Sequence, residues 1–253
     1  MNNQATIEKM QAMRLHGMAR AFQTTMEAGL QKDFTSDEML AHLIEAEWDD
    51  RYNRKLSRLL ANARFRYQAS FEQIDFKISR GINKNKILRL SNCNWIKKGE
   101  SIIVTGATGV GKSFIACSLG QKACINGFKT GYYNCLKLFS NLKFAKIDGT
   151  YFKEIDKIKN QELIIFDDFG LQVMDSQDRL IMLEIIEDRH GKKGTIITSQ
   201  LPVKNWFEII GDHTIADAIC DRLIHNSHKI NLKGESMRKI ISKNSRLILP
   251  PEN

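Results

Sequence analysis

The chain has 253 residues, 42% of them hydrophobic and 26% charged, which suits one globular domain with a small appendage and excludes a wholly disordered chain. No apolar run approaches the roughly eighteen residues that mark a membrane span, and the opening MNNQATIEKM lacks the apolar core of a signal peptide, so a cytoplasmic protein is expected. Lys and Arg outnumber Asp and Glu by 38 to 29, a formal charge of +9.

In chain order, Leu15, Met18, Phe22 and Met26 have the three-and-four spacing of an amphipathic helix. Thr35-Ser36-Asp37-Glu38 offers capping residues for a second, longer helix carrying Leu40, Ile44, Trp48, Tyr52, Leu56 and Leu59 along one stripe. Arg51, Arg54, Lys55 and Arg58 form another stripe, open to two readings: a solvated face balanced by nearby acids, or a binding face. Residues 1–68 therefore read as a small helical module for partner or DNA interaction. Residues 69–98 read as a basic connector, with seven Lys/Arg and no acid between Phe76 and Lys98.

Beyond the connector, residues 99–253 alternate strand and helix signals. Strands are expected at Ser101–Thr105, Thr130–Asn134, Leu163–Phe166 and Thr195–Thr198, and helices at Lys112–Asn126, Asp178–His190 and around Ala216–Asn226. Apolar strands separated by helices imply an α/β fold with a parallel sheet covered on both faces. The five cysteines are widely spaced with no C-x-x-C pair and read as reduced thiols. His225 and His228 lie three apart, but no Cys, Asp or Glu pattern completes a metal site around them.

Gly106-Ala107-Thr108-Gly109-Val110-Gly111-Lys112-Ser113 matches the phosphate-loop pattern and stands between a predicted strand and a predicted helix, the context the pattern requires. Its glycines let backbone N–H groups curl round phosphate oxygens, and the helix N-terminus adds favourable dipole charge. Lys112 is expected to reach the terminal phosphates of ATP and the Ser113 hydroxyl to ligate Mg²⁺, with Phe114 at the loop's end. The apolar strand ending in Asp167-Asp168 supplies the acids: Asp167 for Mg²⁺, Asp168 to orient or deprotonate an attacking water. Thr198-Ser199-Gln200 would face the terminal phosphate if its strand neighboured the phosphate-loop strand. Arg222 lies off the buried stripe of Ile215, Ile219 and Leu223; it is either solvated or, in an oligomer, able to reach a neighbour's phosphate.

Gly106–Ser113, Ile164–Gly170, Gly194–Pro202, Asp221–Asn226 and Gly234–Lys239 together resemble IstB-like ATPases, AAA+ helpers of insertion-sequence transposition related to the DnaC and DnaI helicase loaders. Met13–Ala19 and Arg51–Phe65 look like the family's opening helices, so the resemblance covers nearly the whole chain. It implies Walker A roles for Lys112 and Ser113, Walker B roles for Asp167 and Asp168, and sensor 1 at Gln200 or the adjacent Ser199. It further implies an arginine finger at Arg222 acting across a subunit boundary. Arg238 stands at a sensor-2-like position; because the lid is reduced or absent, binding DNA or facing water are the other readings of this residue.

Residues 1–74 hold ten basic and ten acidic side chains, whereas residues 75–253 hold 28 and 19, so the whole excess lies in the ATPase portion. Such clusters attract duplex DNA through its phosphates without reading sequence. The expectation is an ATP-hydrolysing regulator of transposition that oligomerises on double-stranded DNA with ATP between subunits and recruits or stimulates a cognate transposase. The rival expectations are a DnaC-like helicase loader, a small-molecule P-loop kinase and a non-hydrolysing ATP switch.

Overall fold

The computed structural model describes residues 3–76, 78, 80–237 and 239. The chain divides into two compact units, Met1–Arg58 and Leu59–Asn253.

In the first unit, α1 (Asn3–Ala12) precedes α2 (His16–Glu27), which carries the spacing of Met18, Phe22 and Met26; Arg14, at φ +60°, turns the chain between them. The third helix, α3 (Ser36–Ala63), begins where the capping residues predict, with Thr35 N and Oγ1 each 2.8 Å from Glu38 Oε2. The first turn of α2 has no cap from its own neighbour Leu15. Glu47 of α3 takes that place, accepting from the backbone N–H of Gly17 at 2.8 Å and of Met18 at 3.2 Å. A Cβ on Gly17 would stand 2.3 Å from the Ala46 carbonyl oxygen, so the close approach of α2 to α3 requires glycine. The buried face of α3 here is Leu43 and Glu47, while Leu40, Ile44, Trp48 and Tyr52 point outward. The apolar stripe read from the sequence is thus largely on the surface.

The second unit takes in the end of α3 from Leu59 and continues with α4 (Lys84–Leu90) and α5 (Asn94–Lys97), both inside the stretch read as a connector and both contributing buried side chains: Ile87, Leu90, Trp95 and Ile96. Then follow β1 (Ser101–Gly106), α6 (Lys112–Ile125), β2 (Thr130–Asn134), α7 (Cys135–Ile147), α8 (Tyr151–Lys159), β3 (Leu163–Phe169), α9 (Ser176–Arg189), β4 (Gly194–Ser199), α10 (Trp206–Ile210), α11 (His213–Ile224) and β5 (Ser227–Leu232). The sheet order is β2-β3-β4-β1-β5, and every pairing is parallel. Alternate residues of the strands feed opposite faces. Ile103, Ile164, Phe166 and Ile197 pack with α7, α8, α9 and α11, whereas Ile102, Val104, Ile165 and Ile196 pack with α4, α5 and α6. The parallel α/β sheet expected from the sequence is therefore present. Strand β5, an edge strand in which Ser227, His228, Lys229 and Asn231 accompany Ile230 and Leu232, has too polar a composition to announce itself. All five cysteines are free and buried.

Candidate functional site

The phosphate-loop segment leaves β1 at Gly106 and enters α6 at Lys112. Gly111 holds the junction at φ +100°, a left-handed conformation that an L side chain would strain. Lys112 is 6% exposed, and its Nζ donates to the Ala107 carbonyl at 2.9 Å, curling the side chain back over the loop. Burial draws its ammonium below the usual lysine value, opposed by the charges of Asp168 and Asp167. From beneath, the buried Arg80 donates through Nη1 to Val110 O at 3.2 Å and through Nη2 to Asp75 O at 2.7 Å, bracing the loop. From above, Met237 N donates to Gly109 O at 2.9 Å.

The two acids sit where β3 departs from regular pairing with β4, between Phe166 and Phe169. Such an irregularity re-aims side chains at the end of a strand. Asp168 has φ +60°, an uncommon conformation for a residue other than glycine. Asp167 is fully buried. Its Oδ1 accepts from Ser113 Oγ at 2.8 Å and from Thr198 Oγ1 at 2.5 Å; its Oδ2 accepts from the Tyr132 hydroxyl and from Arg66 Nη1 at 3.4 Å. Burial, then the hydrogen bond to Asp167, raises the Tyr132 phenol, which stays a donor. Asp168 Oδ2 accepts from Asn134 Nδ2 at 3.1 Å and from Arg66 Nη1 at 3.2 Å, and its backbone N–H donates to Thr198 Oγ1.

Strand β4 does neighbour β1, so the condition set for Thr198-Ser199-Gln200 is met. The three residues part company. Thr198 grips the acids; Ser199 is buried and donates to Phe169 O at 2.8 Å; Gln200 accepts from Thr108 Oγ1 of the phosphate loop at 2.7 Å. A cavity of about 380 Å³ gathers Thr108, Gly109, Lys112, Ser113, Asp168 and Gln200 on its polar wall, with Phe114 and Met237 among its apolar lining. Arg222 stands apart from this cavity on α11. It is partly buried rather than fully exposed, donating to Ala218 O at 2.9 Å and to Glu187 Oε1 at 3.1 Å. Arg238 lies outside the described residues.

Ser113 Oγ and Asp167 Oδ1 are hard oxygen donors side by side at the head of α6, the chemistry that suits Mg²⁺ bound jointly by protein and phosphate. Among the described residues no group of three or more His, Cys, Asp and Glu could hold a metal by itself. Arg66, Tyr132, Asn134 and Arg80 also contact the candidate site, and the sequence does not single them out. Tyr132 and Asn134 belong to β2, and only the pairing of β2 with β3, Asn134 opposite Asp167, brings them to the acids. Arg66 and Arg80 lie in irregular chain upstream, without a spacing that marks them.

A family model described as IstB-like ATP binding protein matches residues 8–245. An insertion sequence ATP-binding protein of Sinorhizobium fredii is 43% identical over 234 residues, 92% of this chain and 96% of the relative. The IS21 ATP-binding protein of Pseudomonas aeruginosa is 28% identical, over 89% of this chain and 85% of the relative. Among solved structures, DnaI superposes with a TM-score of 0.57 at 19% identity, covering 70% of this chain and 94% of that one. The DnaC helicase loader gives 0.51 at 19% identity, covering 59% and 87%. These two likenesses concern the fold, that of AAA+ P-loop proteins.

Proposed function

Because the chain belongs to the family of IstB-like ATP-binding proteins, we propose that it is an ATP-hydrolysing, DNA-binding helper of insertion-sequence transposition. ATP binding comes with the family; hydrolysis, DNA and the transposase are the further steps of this reading. The observation that carries hydrolysis is the second acid: Asp168, on left-handed backbone, lines the same cavity of about 380 Å³ as Lys112 and Ser113 of the phosphate loop.

In this mechanism the backbone N–H groups of 107–113 and the start of α6 hold the phosphates, and Lys112 turns from Ala107 O to the terminal phosphates. Ser113 and Asp167 would hold Mg²⁺, which supplies neutralisation of phosphate charge. Asp168 orients a water and takes its proton, while Asn134 fixes the carboxylate's direction. Gln200, anchored to Thr108, serves as the sensor-1 side chain at the terminal phosphate. Arg222 exchanges Glu187 for the phosphate of a neighbouring subunit, where an arginine contributes large rate factors.

Duplex DNA is the expected polyanion, since the entire +9 excess lies in residues 75–253. The N-terminal helices, net neutral through residue 74, are the proposed contact for the cognate transposase. A cytoplasmic location belongs to the same proposal; among the described residues no helix is long and apolar enough to cross a membrane.

ATPase turnover and particle imaging, with and without duplex DNA, test the reading in the wild type and Arg222→Ala. DNA-stimulated turnover and ATP-dependent assembly are expected in the wild type and not in the variant. Normal hydrolysis and assembly by the variant would exclude the trans role of Arg222; absence of ATP turnover in the wild type under every condition would exclude hydrolysis.

A further inference from the structure

Asp167 and Asp168 are neighbouring carboxylates, one of them fully buried, and their charges need compensation. The hydroxyls of Ser113, Thr198 and Tyr132 and the amide of Asn134 are neutral donors. Lys112 is near enough to feel both charges, but its ammonium donates to Ala107 O and forms an ion pair with neither acid. Among the described residues, Arg66 is the one cation ion-paired with these acids, and a single nitrogen, Nη1, serves both Oδ2 atoms.

The geometry of that contact is what makes it informative. At 3.4 and 3.2 Å both separations exceed the 2.7–2.9 Å typical of a charge-assisted hydrogen bond, the contact is not the two-pronged fork of which guanidinium is capable, and the Arg66 side chain is 45% exposed. A tight bidentate bridge would lock the acids, whereas a loose one neutralises them and yields. Arg66 also lines the cavity that contains Lys112 and Ser113, so phosphate oxygens held there lie within its surroundings.

We propose that Arg66 is a displaceable counter-cation of the Asp167–Asp168 pair, competing with a divalent cation for the same carboxylates and moving to the phosphates when that cation takes its place. The proposal rests on reading this cavity as the metal–ATP site and adds a positioning residue upstream of the phosphate loop. Its consequence is selectivity for the metal–nucleotide complex over the free metal: a cation arriving alone must displace Arg66 with no phosphate to receive the guanidinium.

The test uses the full chain without nucleotide and Mn²⁺ as a paramagnetic probe. Relative to wild type, Arg66→Gln is expected to bind Mn²⁺ about fivefold more tightly, the change expected when a half-exposed ion pair no longer competes. Arg66→Lys, which keeps the charge, is expected to restore near wild-type affinity. Thermal melting gives a second readout. The Gln variant should melt below wild type and regain the difference on addition of Mg²⁺ alone, while wild type responds little. Should the Gln variant not fold, Arg66→Met, which keeps part of the apolar stem, is measured with the same expectations.

Equal Mn²⁺ affinity in wild type and the uncharged variant would overturn the proposal, as would a lowered melting temperature that Mg²⁺ does not recover, which marks a merely structural role. Because the Mn²⁺ titration contains no nucleotide, it is independent of ATP binding by the wild type. Failure of the latter, measured separately with a fluorescent ATP analogue, would count against the ATP site and not against the competition.

Discussion

Asn134, the last residue of β2, donates its side-chain amide to Asp168 Oδ2 at 3.1 Å, across the strand pairing that sets Asn134 opposite Asp167. The same side chain uses its oxygen to cap α7, accepting from Lys137 N at 3.4 Å. One residue therefore ties the direction of the second acid to the start of the next helix.

Asn134→Ala should consequently leave ATP affinity within about twofold, because no phosphate contact is assigned to it, and lower kcat about tenfold through loss of orientation of Asp168. Steady-state kinetics separating KM from kcat check this. A raised KM with unchanged kcat would place Asn134 in nucleotide binding instead.

Asp168→Asn should bind ATP as the wild type does and lose turnover by about two to four orders of magnitude, the range for removal of a general base. Equilibrium binding beside single-turnover hydrolysis measures both. Wild-type turnover retained by the variant would remove Asp168 as the base, and absence of turnover in both proteins would support the non-hydrolysing switch.

Glu47 supplies a pH test in the N-terminal unit. Burial works against its charged form, but Arg51 and the N–H groups of Met18 and Gly17 outweigh it and hold its carboxyl below the usual value. A depressed folded pKa means that its stabilisation is present above the unfolded glutamate value, near 4.3, and is lost as pH falls through the lower folded value. Glu47→Gln is expected to be about 1.5 kcal/mol less stable at pH 7 and to lose less on acidification than the wild type. Hydrogen exchange at the Gly17 and Met18 amides reports it locally; identical protection at pH 7 in both proteins would contradict the capping role.

Gly17→Ala tests the approach of α2 to α3 directly. The added Cβ meets the Ala46 carbonyl oxygen at 2.3 Å, Asp50 Cβ at 2.7 Å and Glu47 Cα at 2.8 Å, two of these being backbone atoms that cannot swing aside. A loss of about 1–3 kcal/mol is expected, as for overpacking in a tight contact, read as faster exchange of α2 amides, with ATP binding retained.

The sequence by itself determined the parts that depend on local chemistry: the phosphate loop with Lys112 and Ser113, the acid pair at the end of an apolar strand, the α/β alternation and the family resemblance. Each is written in contiguous residues, because a phosphate cradle needs glycines within one turn and a buried parallel strand needs an unbroken apolar run. Only the tertiary structure decided which distant side chains meet them. Thr198 reaches Asp167 because β4 lies between β3 and β1; Tyr132 and Asn134 reach the acids because β2 lies beside β3. It also separated Ser199, turned to Phe169, from Gln200, turned to Thr108, two neighbours that spacing treats alike. The outward face of Trp48 and the inward face of Glu47 reverse what hydrophobicity alone suggests, since Glu47 is matched by two N–H groups and an arginine. Strand order and the partners of buried charges are properties of long-range packing, so neither leaves a periodicity to read, and Arg66, the cation paired with Asp167 and Asp168, becomes visible only once the chain has folded.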